Sequence, residues 1–174
     1  MPKAWERFVA AGLLAGAAGL LALVLASAHA AAPAAPVAPG ALPPTSFANP
    51  EEAIVARKEA MKTDGKIFKA MKAALAAGQD PGPFTADAQW LVAWGKQMPL
   101  MFPKGSETGH DTKAKPAIWT DKPGFDRDAA NMVAASEKLV QAAESNDKAA
   151  FAAGFQAVGK SCGGCHKAYA YPLH

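Results

Sequence analysis

Residues 148–169, KAAFAAGFQAVGKSCGGCHKAY, decide how the rest of the chain is read. The stretch is alanine-rich, follows Asn146 or Asp147 as an N-cap, and reads as a helix. Near its end stands Cys162-Gly163-Gly164-Cys165-His166, and these are the only two cysteines of the chain. C-x-x-C-H is the attachment signal for a covalent c-type haem. Two thiols three positions apart on one helical face can reach the two haem vinyl groups and form thioethers. The histidine that follows is then held under the iron as an axial ligand. Other uses of such a pair fit less well. A zinc site needs a second ligand pair, and His110 and His174 are isolated. A thioredoxin-like pair needs a βαβ context that is absent. A disulfide across three residues is a poor staple.

Three more helical stretches precede this one. Residues 124–145 place Phe125, Met132, Leu139 and Val140 inward. Residues 85–98 carry Trp90, Leu91 and Trp94, with Trp90 and Trp94 on one face, and Pro99 ends them. Residues 50–77 open with Pro50, Glu51 and Glu52 at the positive end of a helix dipole. Apolar side chains then recur every seven positions at Ile54, Met61, Phe68 and Leu75, with Met71 between, which is a bundle seam. Gly78 and Pro81-Gly82-Pro83 close this stretch. A long loop over residues 99–123 suits packing against a cofactor. Strand signals are absent. The reading is an all-α antiparallel four-helix bundle, with haem c attached near the C-terminal end of the last helix.

The remaining segments concern export. Lys3 and Arg7, an apolar run over residues 8–26, and the small residues of Ala26-Ser27-Ala28 and Ala28-His29-Ala30 make residues 1–30 a signal peptide. An uncleaved membrane anchor is the competing reading. Residues 31–49, AAPAAPVAPGALPPTSFAN, read as an extended, unpacked Pro/Ala-rich linker. Residues 50–174 make one domain. The formal net charge is +3, and losing Lys3, Glu6 and Arg7 with the leader takes away one positive charge. No basic block points to nucleic acid.

The domain resembles the cytochrome c′ family, the class II c-type cytochromes, over about residues 50–171. The C-x-x-C-H lies near the C-terminus, as it does in that family. Pro50-Glu51-Glu52-Ala53-Ile54 is similar to the opening of its first helix, and Arg57 with Met61 to its Arg-x-x-x-apolar haem-facing pair. Met98-Pro99 with Phe102, the run from Pro116 to Asp121, and Phe125 are similar to haem-edge segments. Tyr169 stands three residues after His166, again as in the family. Ala170 departs from it, since a basic residue often follows that Tyr. The resemblance implies that Phe102 and Phe125 pack on the haem. It also implies that Arg57, one turn before Met61, binds a propionate. It further suggests an antiparallel homodimer through the first two helices.

Met61 carries the functional question. The resemblance puts residue 61 opposite His166, where low-spin members hold a coordinating Met and high-spin members an apolar residue that leaves the iron open. A thioether there makes a six-coordinate iron suited to electron transfer. Met98 and Met101 are weaker candidates, one of them at the haem edge, and Met71 belongs to the core. The expectation is a periplasmic mono-haem electron carrier serving redox partner proteins, with a membrane contact only if the leader stays uncleaved. The alternative is a five-coordinate protein that binds a gas such as nitric oxide. No acid–base dyad or nucleophile suggests an enzyme.

Overall fold

The computed structural model describes residues 33–172. The signal peptide or anchor expected over residues 1–30 lies outside them. Four main helices form an antiparallel bundle: α1 (Pro50–Ala76), α2 (Thr85–Gln97), α4 (Lys122–Glu144) and α5 (Lys148–Tyr169). The short helix α3 (Ala117–Thr120) lies in the connection before α4. The described residues hold no strand, only one isolated bridge between Ala114 and Ala170.

Helix ends follow local chemistry. Asn49 accepts from the Glu52 amide at 3.0 Å, while the Glu52 carboxylate accepts from the Ala48 amide at 3.1 Å. This reciprocal box, with Pro50 at the first helical position, fixes the start of α1. Gly78, at φ +63°, ends it, and the Gln79 amide returns to the Ala74 carbonyl at 3.0 Å. That left-handed turn is cheapest for glycine. Asp147 caps α5 by accepting from the Ala150 amide at 2.9 Å.

Burial revises the seam expected on α1. Ile54 and Met71 are buried, but Met61, Phe68 and Leu75 are only half-buried. The core row runs instead through Ala60, Ile67, Met71 and Ala74. The heptad reading assumed one apolar face. The helix has two adjacent ones, and Met61 and Phe68 lie on the second. The expected loop is also more structured than its composition suggests. A 3₁₀ turn (Met98–Met101) and α3 occupy it, and α4 starts at Lys122 with Pro123 in its first turn.

The larger correction concerns residues 31–49. The described part is extended, as expected, but it is packed. Ala34, Val37, Leu42 and Phe47 lie against the core. The Val37 and Ala38 amides donate to the two oxygens of Asp87, at 2.9 and 3.1 Å, and Gln97 donates to the Pro43 carbonyl. The segment thus runs along α2 from its first turn to its last. Asp87 is fully buried, so these amides supply the polar partners its carboxylate needs.

Replacing Asp87 with Ala orphans both amides and is expected to cost the holoprotein about 2 kcal/mol. Hydrogen exchange at Val37 and Ala38 should accelerate in that variant. Unchanged protection there would mean that the strap is held by its apolar contacts alone.

Candidate haem site

One cavity of about 630 Å³ opens between α1, α4, α5 and the loop before α3. Its walls are mostly apolar. α5 contributes Cys162, Cys165 and His166, and α1 contributes Met61 and Phe68. Met98, Phe102, Ile118, Phe125 and Met132 complete the apolar lining. Both thiols are half-buried, and desolvation pushes Cys162 up to about 12 and Cys165 up to about 11. The His166 ring is exposed at the mouth, yet the apolar wall lowers its pKa. This favours the neutral imidazole an iron ligand needs.

The cavity therefore gathers Cys162, Cys165, His166, Met61, Phe102 and Phe125. Phe102 is at the centre of an aromatic cluster, edge-on to Trp119 at 5.8 Å and to Phe125 at 5.0 Å between centroids. Phe125 in turn meets Tyr169 edge-on at 5.3 Å. Of Met98 and Met101, Met98 lines the cavity while Met101 is buried outside its lining. Met71 is core, and His110 is exposed.

Arg57 is tied into the loop at the edge of the cavity. It borders the cavity but is only 3% exposed. Its Nη1 donates to the Met101 carbonyl at 3.1 Å and to Ser106 Oγ at 2.8 Å. Its Nη2 donates to the Ser106 carbonyl at 2.7 Å and to Thr112 Oγ1 at 3.0 Å. The guanidinium also lies over the Phe102 ring, 4.4 Å from its centroid. Burial pulls its pKa down to about 10, which leaves it charged at neutral pH. All four terminal N–H groups are spent on the loop, and only the Nε hydrogen is left for a propionate. Arg57 is thus an anchor that shapes the cavity edge.

Two features were not foreseen from sequence. Tyr169 donates to Asp121 Oδ2 at 2.8 Å, and Asp121 also caps α4 through the Gly124 amide at 3.2 Å. A Cβ at Gly124 would stand 2.2 Å from that carboxylate and 2.4 Å from the phenol oxygen, so only glycine fits. This contact ties the end of the histidine helix to the start of α4. Asp64, one turn after Met61, also lines the cavity. Its Oδ1 is buried with no hydrogen-bond partner, and so is Trp94 Nε1. Desolvation pushes the Asp64 carboxyl up to about 8. The Trp94 indole pulls it part of the way back, short of hydrogen-bond geometry.

Comparison with known proteins meets this geometry directly. A family model described as Cytochrome C′ matches residues 52–170. The chain belongs to the cytochrome c′ family. Cytochrome c′ of Rubrivivax gelatinosus is 36% identical over 123 residues, 69% of this chain and 95% of that one. Cytochrome c-556 of Agrobacterium tumefaciens is 35% identical over 118 residues, 65% of this chain and 92% of that one. Among solved structures, a nitric oxide complex of a variant cytochrome c prime from Alcaligenes xylosoxidans superposes with a TM-score of 0.67 at 28% identity. It covers 74% of this chain and 100% of its own. Proteins of this family carry one covalent haem c. The residues here fit such a group: paired thiols and an imidazole on one wall, a thioether on α1, and a mostly apolar lining.

Asp64 yields a prediction. A carboxyl raised from near 4 when unfolded to about 8 when folded stays protonated in the fold and ionises on unfolding. Its contribution is full below about pH 4 and is lost as pH rises through about 8. Asp64→Asn in the holoprotein should flatten the fall of the unfolding midpoint over that window and raise it at the alkaline end. An unchanged profile would show that the Asp64 carboxylate is solvated.

Proposed function

We propose that this cytochrome c′ family protein is an exported electron carrier. In this reading Cys162 and Cys165 would bond the haem as thioethers, and His166 and Met61 would ligate its iron. The haem supplies one-electron exchange between its ferric and ferrous states. The chain's own residues do the rest. The apolar wall of Phe68, Ile118, Phe125 and Met132 excludes water, and the Arg57-anchored loop keeps Phe102 in place. The observation that carries the reading is Met61, half-buried and turned into the cavity that His166 borders from α5. A neutral thioether bound in both oxidation states changes little on electron gain, which keeps reorganisation small. The leader-like residues 1–30 support a periplasmic location.

A second reading is favoured by the comparisons, which speak for it more than for the first. Most of the relatives found are named cytochrome c′, and several superposing structures are nitric oxide complexes of one of them. In that reading Met61 packs beside an open iron, and the protein binds a diatomic gas without turning it over.

The optical spectrum of the holoprotein separates the two. Electron transfer predicts a low-spin ferric form with a weak far-red sulfur–iron band and no response of the ferrous form to carbon monoxide. Met61→Ala should then become high-spin and responsive to carbon monoxide. A wild-type protein that is already high-spin and binds carbon monoxide promptly would give the function to gas binding.

A further inference from the structure

The charges around the cavity are unevenly placed. On α1, Lys58, Lys62, Lys66 and Lys69 recur at helical spacing along a stripe beside the cavity-lining Met61 and Phe68. On α5, Lys160 and Lys167 flank the cavity-lining Gly159 and His166. α5 contains no acidic residue at all, and α1 contains none after Asp64. Lys66, Lys69, Lys160 and Lys167 are exposed and make no ion pair among the described residues. Lys62 pairs with Glu59 at 2.6 Å, the one acid on this stripe. Lys115 adds to the group, with its ammonium on the Lys167 carbonyl at 2.8 Å.

Elsewhere several lysines have acidic partners. Lys148 is paired with Asp80 at 2.9 Å and Lys96 with Glu137 at 3.1 Å. Lys122 is paired with Asp126 beside the cavity on α4. On the α1 and α5 sides of the cavity mouth the lysines outnumber the acids, an excess that Asp111 and Asp128 face from the loop and α4. Two haem propionates would offset part of it and leave these flanks positive.

We infer that the α1–α5 rim is the docking surface for a redox partner, and that the partner presents an acidic surface. The inference deepens the electron-carrier reading and rests on it. Unpaired ammonium groups around a low-dielectric opening attract anions at a distance and orient an incoming acidic face toward the haem edge. Flexible lysines suit a partner that must leave quickly, because no buried ion pair has to be broken on release.

Small inorganic oxidants of opposite charge test the surface without an identified partner. The ferrous holoprotein is mixed with ferricyanide, a trivalent anion, or with tris(phenanthroline)cobalt(III), a trivalent cation. Each oxidant takes one electron, and no bond forms or breaks. From ~0.01 M to ~1 M salt, where screening shortens from about 30 to 3 Å, the ferricyanide rate should fall roughly tenfold. The cobalt rate should rise. Lys66→Glu should weaken both trends. Lys138→Glu, which changes the net charge equally on the part of α4 away from the cavity, should leave them nearly intact. Equal effects of the two variants, or a faster low-salt reaction with the cation, would overturn the inference. The optical spectrum is read on the same samples. An open, high-spin iron would remove the electron-carrier reading, while the salt trends would still report the charge of the rim.

Discussion

A cavity of about 630 Å³ between three helices is the constraint on which the rest of the architecture depends. The opening is lined mostly by apolar side chains, and a guest seated there takes that surface out of water. The bundle therefore gains from a guest that covers this wall. The C-x-x-C-H motif serves this end by bonding the guest to α5, so that filling the cavity does not depend on an affinity. The same gain accounts for α1. One face packs through Ile67, Met71 and Ala74, and the neighbouring face, with Met61 and Phe68, is completed by the guest.

The edge of that cavity is irregular chain, and irregular chain needs partners for its carbonyls. Arg57 supplies them. One buried guanidinium joins Met101, Ser106 and Thr112, residues far apart in the loop, and rests on Phe102. Its charge is matched by oxygen acceptors and an aromatic face, and for guanidinium such a set compensates much of the lost hydration. At the other end of the loop, Asp121 links Tyr169 and the start of α4. The loop is thus fastened at both ends by one ionic side chain each, and Trp119 adds a hydrogen bond to the Phe102 carbonyl at 3.0 Å.

What could be read from sequence was what local rules govern. The four long helices begin and end within two residues of where caps, Pro and Gly put them, because those signals act on neighbouring residues. The covalent site was legible because its chemistry is contiguous in the chain. The failures all involve partners distant in sequence. Pro and Ala composition correctly predicted an extended segment. It could not reveal that Asp87, about fifty positions on, lacked donors that Val37 and Ala38 would supply. The loop contacts of Arg57 were hidden as well, because nothing in the loop sequence marks Met101 or Ser106 as its acceptors. Asp64 carries no signal of its own in a lysine-rich helix, and only the tertiary fold sets Trp94 beside it.

Much of the functional distinction rests on residue 61, for a physical reason. His166 is held by its neighbours in sequence and lies on the same wall as the thioether cysteines. The opposite wall is built by α1, whose backbone is rigid between a capped start and a glycine stop. Only a side chain of suitable length on that rigid wall can reach across to an iron, and its chemistry decides between a closed and an open site. A branched aliphatic side chain would fill space without donating electrons. Met combines a flexible reach with a soft donor. Met61 is half-buried at the cavity wall and lies outside the Ile67–Met71 core row. The lysine stripe occupies the solvent side of the same helix, so a single helix presents both the candidate ligand and the charged approach to it.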